Sequence, residues 1–138
     1  MYLFIYAPHP DTSWIALSTR DGAKFKKRVI KKGPSGRGDI LRNIDQLMRA
    51  AKKTPKHIEG VVVCTGPGHF TYVRSSVVIA NTFGWALGIP VCGLADVDEK
   101  EFVAAGLKGI LKKKRFVPAV PAYGKEPNIT QSRNTETR

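Results

Sequence analysis

The run "GVVVCTG" at residues 60–66 constrains the fold more than any other part of the chain. Three consecutive β-branched residues with no polar alternation suit a strand that is covered on both faces, as in a parallel sheet. A helical pattern precedes the run, so the strand can return parallel to an earlier one by a crossover. "GPG" follows at 66–68, and a second helical pattern extends from Tyr72 to Leu87. Strand, glycine turn and helix in that order pose a functional question. The turn is either a cradle for phosphate, using backbone N–H groups and a helix N-terminus, or only a tight connection.

The flanking segments complete the order of elements. "YLFIYA" (2–7) and "SWIALST" (13–19) read as strands separated by the turn "PHPDT". "DG" at 21–22 signals a hairpin into "AKFKKRVI", a third strand with a basic outer face, and "KKGPSGRG" reads as a loop. Ile40, Leu41, Ile44, Leu47, Met48 and Ala51 then recur at helical spacing, with Asp39 as N-cap and Pro55 as stop. "IPVCGLA" is a second buried strand, and residues 98–105 suit one short helix. The sum is βββαβαβ, an α/β domain of the ribonuclease-H-like type with a mixed sheet. We place it at residues 1–106, followed by a basic, Pro-containing, partly disordered tail at 107–138.

With 138 residues the chain has one domain's worth of core, and no apolar run approaches the ~20 residues of a membrane span. The N-terminus has no basic stretch ahead of its apolar run, so it reads as a strand and not a signal peptide. Cys64 and Cys92 sit in strand-like runs without CxxC spacing, as reduced core residues of a cytoplasmic protein would. The net charge of +12 is uneven: residues 20–56 hold thirteen basic and three acidic side chains. Such a surplus favours polyanions such as RNA through counterion release, unless it is only a solvated surface.

The motif turn, Gly66, Pro67 and Gly68 with Phe70, Thr71 and Arg74 beyond it, carries no Walker lysine and no nearby acid to hold a metal. His69 reads as a loop or capping residue, and Arg74 could pair with a phosphate or a carboxylate. The helix after the turn is apolar on almost two sides. Val73, Val77, Ala80, Gly84 and Leu87 form one stripe; Ser76, Ile79, Phe83 and Ala86 form a second, with Val78 and Trp85 beside them. One face suffices against a sheet. The surplus marks either a protein–protein face or a roof supplied by the tail.

"TGPGHFTYVRSSVVIANTFGWALGIPVCGL" resembles the signature region of the TsaB (YeaZ) family, in which a GPG-x-FTG-x-R turn and helix lead into LGIPxxGV. "DILRNIDQLMRAAKKTPKHIEGVVV" resembles that family's first helix and the loop before its fourth strand, so the resemblance covers residues 1–106. "VPAYGKEPNI" resembles its C-terminal P-x-Y strand, which leaves a short form without most of the second domain. The resemblance implies an actin-like ATPase (ASKHA) fold in a non-catalytic scaffold. Such a scaffold docks the catalytic paralogue TsaD, alongside the ATPase TsaE, in forming threonylcarbamoyladenosine in tRNA. It implies no catalytic, metal or cofactor-binding residue here.

The docking residues are then Ile40, Ile44, Leu47 and Met48 of the first helix with Val73, Ser76, Val77, Ala80, Phe83, Gly84 and Leu87 of the second. Ala80 and Gly84 would mark the side of closest backbone approach, and the isolated protein would pair with itself through the same face. A stand-alone basic RNA-binding domain is the alternative, with Lys112, Lys113, Lys114 and Arg115 as possible RNA contacts; an ATPase or peptidase is a third reading. The chain departs from the family pattern at several positions. The metal-facing Asp falls on Ala7 and the next Thr on Pro8, with Asp11 displaced. The helix-opening histidine falls on Gly36. His69 and Tyr72 replace Ser and Gly in the turn, and Asn81 and Thr82 replace Lys and Gly. Tyr72 would crowd a phosphate in the loop, so the turn reads as a tight connection. Calorimetry should therefore find weak ATP binding or none; magnesium-dependent micromolar binding would overturn this reading.

Overall fold

Strand β1 (Tyr2–Tyr6) lies between an antiparallel neighbour, β2 (Trp14–Ser18), and a parallel one, β4 (Gly60–Gly66). Strand β3 (Phe25–Val29) extends the sheet beyond β2, and β5 (Val91–Ala95) extends it beyond β4, giving the order β3-β2-β1-β4-β5. Three helices interleave with these strands: α1 (Ile40–Ala50), α2 (Phe70–Leu87) and α3 (Glu99–Ile110). This computed structural model describes residues 1–30 and 39–122. The basic loop, Gly36 and the tail from residue 123 onward lie outside them, including most of the P-x-Y resemblance.

Alternation along the strands splits the core into two layers. Leu3, Ile5, Ile15, Leu17, Val61 and Val63 point to the side of α1 and α2. Tyr2, Phe4, Trp14, Ala16, Val62, Cys64 and Cys92 point to the side of α3. Every residue of β4 is buried, as its unbroken apolar run requires.

Helix α1 sits over β2 and β3 through Ile40, Ile44, Leu47 and Met48. Asp39 caps it by accepting from the Arg42 N–H at 2.9 Å. Arg28 of β3 donates to Asn43 Oδ1 at 3.0 Å and to Gln46, tying the helix to the sheet edge. The helix stops earlier than the stop expected at Pro55. Lys52 turns to φ +58, and Pro55 opens a separate 3₁₀ turn, Pro55–His57.

Helix α3 is longer than the short helix expected at residues 98–105, and it crosses the boundary drawn at Gly106. Gly106 is a contact here and not a stop. A Cβ on it would stand 2.7 Å from Val62 Cγ1 and 2.8 Å from Phe4 Cε2. Phe102 is fully buried and meets Phe4, Tyr6 and Trp14 edge-on at centroid distances of 6.1, 5.1 and 5.8 Å. Burying such a side chain contributes about 1.5–3 kcal/mol, and each good aromatic pair ~0.5–1.5 kcal/mol more. Trp14 Nε1–H donates to Glu99 Oε2 at 2.7 Å, which fixes the first turn of α3.

The placement of α2 corrects an expectation. Tyr72, Val73, Ser76, Val77, Ala80 and Gly84 all face inward. Ala80 and Gly84 therefore mark close approach to the sheet and the tail, not to a partner. A Cβ at Gly84 would fall 2.4 Å from Val91 Cγ2 and 2.5 Å from Phe116 Cδ1. Gly84→Leu should therefore destabilise the monomer itself, by ~1–3 kcal/mol or more from overpacking. Urea titration checks this; a Gly84→Leu chain with unchanged midpoint would contradict the packing.

Candidate functional site

The glycine turn joins β4 to α2 with its backbone already engaged. Gly66 has φ +125, and a Cβ there would fall 1.8 Å from the Ala122 carbonyl oxygen, so both its conformation and its space demand glycine. At Gly68 a Cβ would stand 2.4 Å from the Pro8 carbonyl oxygen. The His69 N–H donates to that same oxygen at 2.7 Å, and the Asp96 N–H donates to Gly66 O at 2.9 Å. The Ala122 N–H donates to Thr65 O at 2.6 Å. Phosphate needs open N–H groups, and here protein backbone crowds the turn from two directions. The residues present do not fit a nucleotide phosphate.

Tyr72 takes no part in that crowding. It is buried in the core beneath α2, which corrects the expectation that its ring stands in the loop. His69 is the N-cap of α2 through its backbone, accepting from the Val73 N–H at 2.9 Å, without a side-chain capping bond. Thr71 and Arg74 are exposed on the outer side of α2. Among the described residues, no three His, Cys, Asp or Glu side chains converge as a metal ion would need. Burial pushes both thiols up, Cys64 further through Asp96, so they stay protonated at neutral pH and are poor nucleophiles.

Of the eleven residues assigned to a partner face, nine are buried in the chain's own core: Ile40, Ile44, Leu47 and Met48 of α1, and Val73, Ser76, Val77, Ala80 and Gly84 of α2. They cannot form a docking surface, because sheet contact uses those stripes first. Phe83 and Leu87 remain half-buried. They belong to an apolar groove of about 300 Å³ between α1 and α2, lined by Leu41, Pro55, Ile79, Thr82, Phe83, Ala86 and Leu87. Leu41 is 55% exposed at its edge. The Thr82 hydroxyl donates to Val78 O at 2.8 Å, so the groove's only side-chain polar group is turned back to its own helix. Ile79, Phe83 and Ala86 belong to the second apolar stripe read from the sequence; Leu41, on α1, was visible only as part of its apolar pattern.

The other flank of α2 carries the tail. Asn81 donates from Nδ2 to Ala119 O at 3.0 Å and accepts from the Ala119 N–H at 2.8 Å. The side-chain amide thus behaves like one residue of a strand. Phe116 packs at Gly84, and the chain then reaches Thr65 and Gly66 through Ala122. The tail roofs one flank of α2, as one sequence reading had it, and the other flank opens as the groove. Lys112, Lys113, Lys114 and Arg115 are exposed where the chain leaves α3.

A family model described as TsaD: tRNA N6-adenosine threonylcarbamoyltransferase matches residues 37–106. The Bacillus subtilis protein named tRNA threonylcarbamoyladenosine biosynthesis protein TsaB is 31% identical over 55 residues, 40% of this chain and 24% of that one. An uncharacterised Mycobacterium tuberculosis protein is 39% identical over 56 residues, 41% of this chain and 26% of that one. Among solved structures, YeaZ from Pseudomonas aeruginosa superposes with a TM-score of 0.56 at 23% identity, covering 69% of this chain and 44% of that one. A second Pseudomonas aeruginosa structure, described as similar to peptidase YeaZ, gives 0.55 over 69% of this chain and 43% of that one. The matches span about a quarter of the length of the curated relatives and under half of the solved ones. The structural likeness establishes the α/β fold expected from the sequence.

If Asn81 is the clamp on the tail, Asn81→Ala should strip hydrogen-exchange protection from the Ala119 and Ala122 amides by about tenfold, near the ~1 kcal/mol of a hydrogen bond. Protection in β1 and β4 should not change. Equal loss in the central strands would mean that the side chain supports the whole domain.

Proposed function

The chain belongs to the TsaD family, and on that premise we propose that it is a non-catalytic scaffold subunit of the machinery that makes threonylcarbamoyladenosine in tRNA. The observation that carries this reading is the apolar groove between α1 and α2. It is walled by Leu41, Ile79 and Phe83, while the glycine turn ahead of α2 is closed in by Pro8 and Ala122. A chain with that arrangement offers a surface and not a reaction centre. Its partner in this reading is a TsaD-like catalytic paralogue, docked by a helix laid into the groove. A TsaE-like ATPase and tRNA would be the further members of the complex. In the absence of the paralogue, a second copy of this chain would occupy the same groove.

Substitution at the groove's rim separates docking from folding. Leu41 is 55% exposed, so Leu41→Asp should leave the melting temperature within a few degrees of the parent. It should also weaken capture of the TsaD-like protein of the same organism by tenfold or more, the scale of an interface hot spot. Sedimentation of the pure variant should show loss of any self-association seen in the parent. Undiminished capture by a folded Leu41→Asp chain would rule out the groove as the docking face.

A further inference from the structure

The geometry points to a second interaction surface: we infer that the β3 edge and the C-terminal end of α1 hold the phosphate backbone of RNA. A cavity of about 750 Å³ opens there, lined by Thr19, Lys24, Phe25, Lys26, Lys53 and neighbouring apolar residues. Lys24 and Lys26 come from the β2–β3 hairpin and β3; Lys53 follows α1. None of the three lysines forms an ion pair among the described residues. Lys26 Nζ donates to Ala50 O at 3.3 Å, which holds its ammonium across the gap between strand and helix.

Acidic groups nearby are spent on local structure. Asp39 caps α1, and Asp45 pairs with Arg49 at 2.9 Å. Asp21 is turned into its own hairpin, accepting from Thr19 Oγ1 at 2.8 Å and the Ala23 N–H at 3.0 Å. These contacts hold its carboxyl below the usual carboxylate range. Lys24, Lys26 and Lys53 thus meet at the cavity with no ion-pair partner among the described residues. Lysine meets phosphate as a flexible point charge. Phe25, 45% exposed on the rim, supplies a face on which an unpaired base can stack.

Ammonium groups from two separate segments, the hairpin strand and the stretch after α1, suit a chain of phosphates better than a single one. Lys53 also lines a second recess with Thr54, Leu41, Phe83 and the Asp45–Arg49 pair, so its ammonium stands near the flank of the apolar groove. A partner in that groove and an RNA on the strip would be neighbours. The run Lys112 to Arg115 lies toward the opposite edge of the sheet, where the charge of Lys113 acts on Cys92 of β5. The proposal rests on the tRNA-modification reading only for the identity of the RNA.

Fluorescence anisotropy with an unmodified tRNA transcript, titrated into the full chain alone over a range of salt, tests the strip independently of docking. Replacing Lys24, Lys26 and Lys53 together by Gln should lower affinity tenfold or more. The slope of log affinity against log salt should flatten by about 2 to 3, at up to ~0.9 for each phosphate no longer neutralised. Replacing Lys112, Lys113, Lys114 and Arg115 by Ala should flatten it less, and a matched melting temperature shows that each variant is folded. An unchanged slope in the folded triple variant overturns the proposal. So does a triple variant that loses binding to phosphatidylserine vesicles while keeping its affinity for the transcript, since the strip would then serve a membrane surface.

Discussion

Everything in this structure follows from a parallel strand pair that must be hidden on both faces. β1 and β4 pair in register from Tyr2↔Gly60 to Ile5↔Val63, and their side chains alternate between two apolar layers. Neither layer can face water, so each needs a helical cover. α1 and α2 supply one and α3 the other. The close approach of α3 at Gly106 and of α2 at Gly84 are two solutions to the same demand: a helix axis low enough on the sheet to exclude solvent.

That demand also decides what is left for function. Helix α2 has more apolar surface than a single sheet contact can use, and the surplus divides along its length of eighteen residues. The stripe through Val73, Val77, Ala80 and Gly84 goes to the sheet because the small residues let the backbone come close. Phe116 and the Asn81 clamp take one flank for the tail. The Ile79–Phe83–Ala86 flank stays open, with Val78 and Trp85 exposed on the same helix, and α1 completes it as a groove through Leu41. The groove is what remains after the core has taken its share.

This order of precedence explains which features could be read in the sequence. Strand count, the crossover and the N-cap at Asp39 are local or periodic signals, and they appear where expected. The two stripes of α2 were also visible, but periodicity does not say which one meets the sheet. Small residues at Ala80 and Gly84 were compatible with close approach by any backbone, and the nearest backbone was the chain's own. The extension of α3 past Gly106 was hidden for a related reason. A glycine inside a helix reads as a stop unless one knows that Phe4 and Val62 lie against it. The cavity at Lys24, Lys26 and Lys53 joins residues from the hairpin and from beyond α1, which no linear window brings together. The Asn81 clamp was illegible as well, because an amide on a helix surface acquires a role only when a tail thirty-eight residues away passes it.

The glycine turn makes the same point at the level of chemistry. A strand–glycine–helix junction aims N–H groups and a helix N-terminus at one place, and in an open site that place can take an anion. Whether it does depends on what else arrives there. Here Pro8 comes from the first loop and Ala122 from the far end of the described chain, and their carbonyl oxygens approach the two glycines that would otherwise leave room. Both oxygens repel a phosphate, and the Pro8 oxygen takes the His69 N–H that an anion would need, so the joint gains a firm connection and gives up anion binding. With the interior of the turn committed, the surfaces open to a ligand lie on the outside: an apolar groove between two helices, and beside it a strip of ammonium groups whose local carboxylates are already engaged. The same packing that closes the turn thus leaves the groove and the lysine-lined cavity as the open features of this side of the domain.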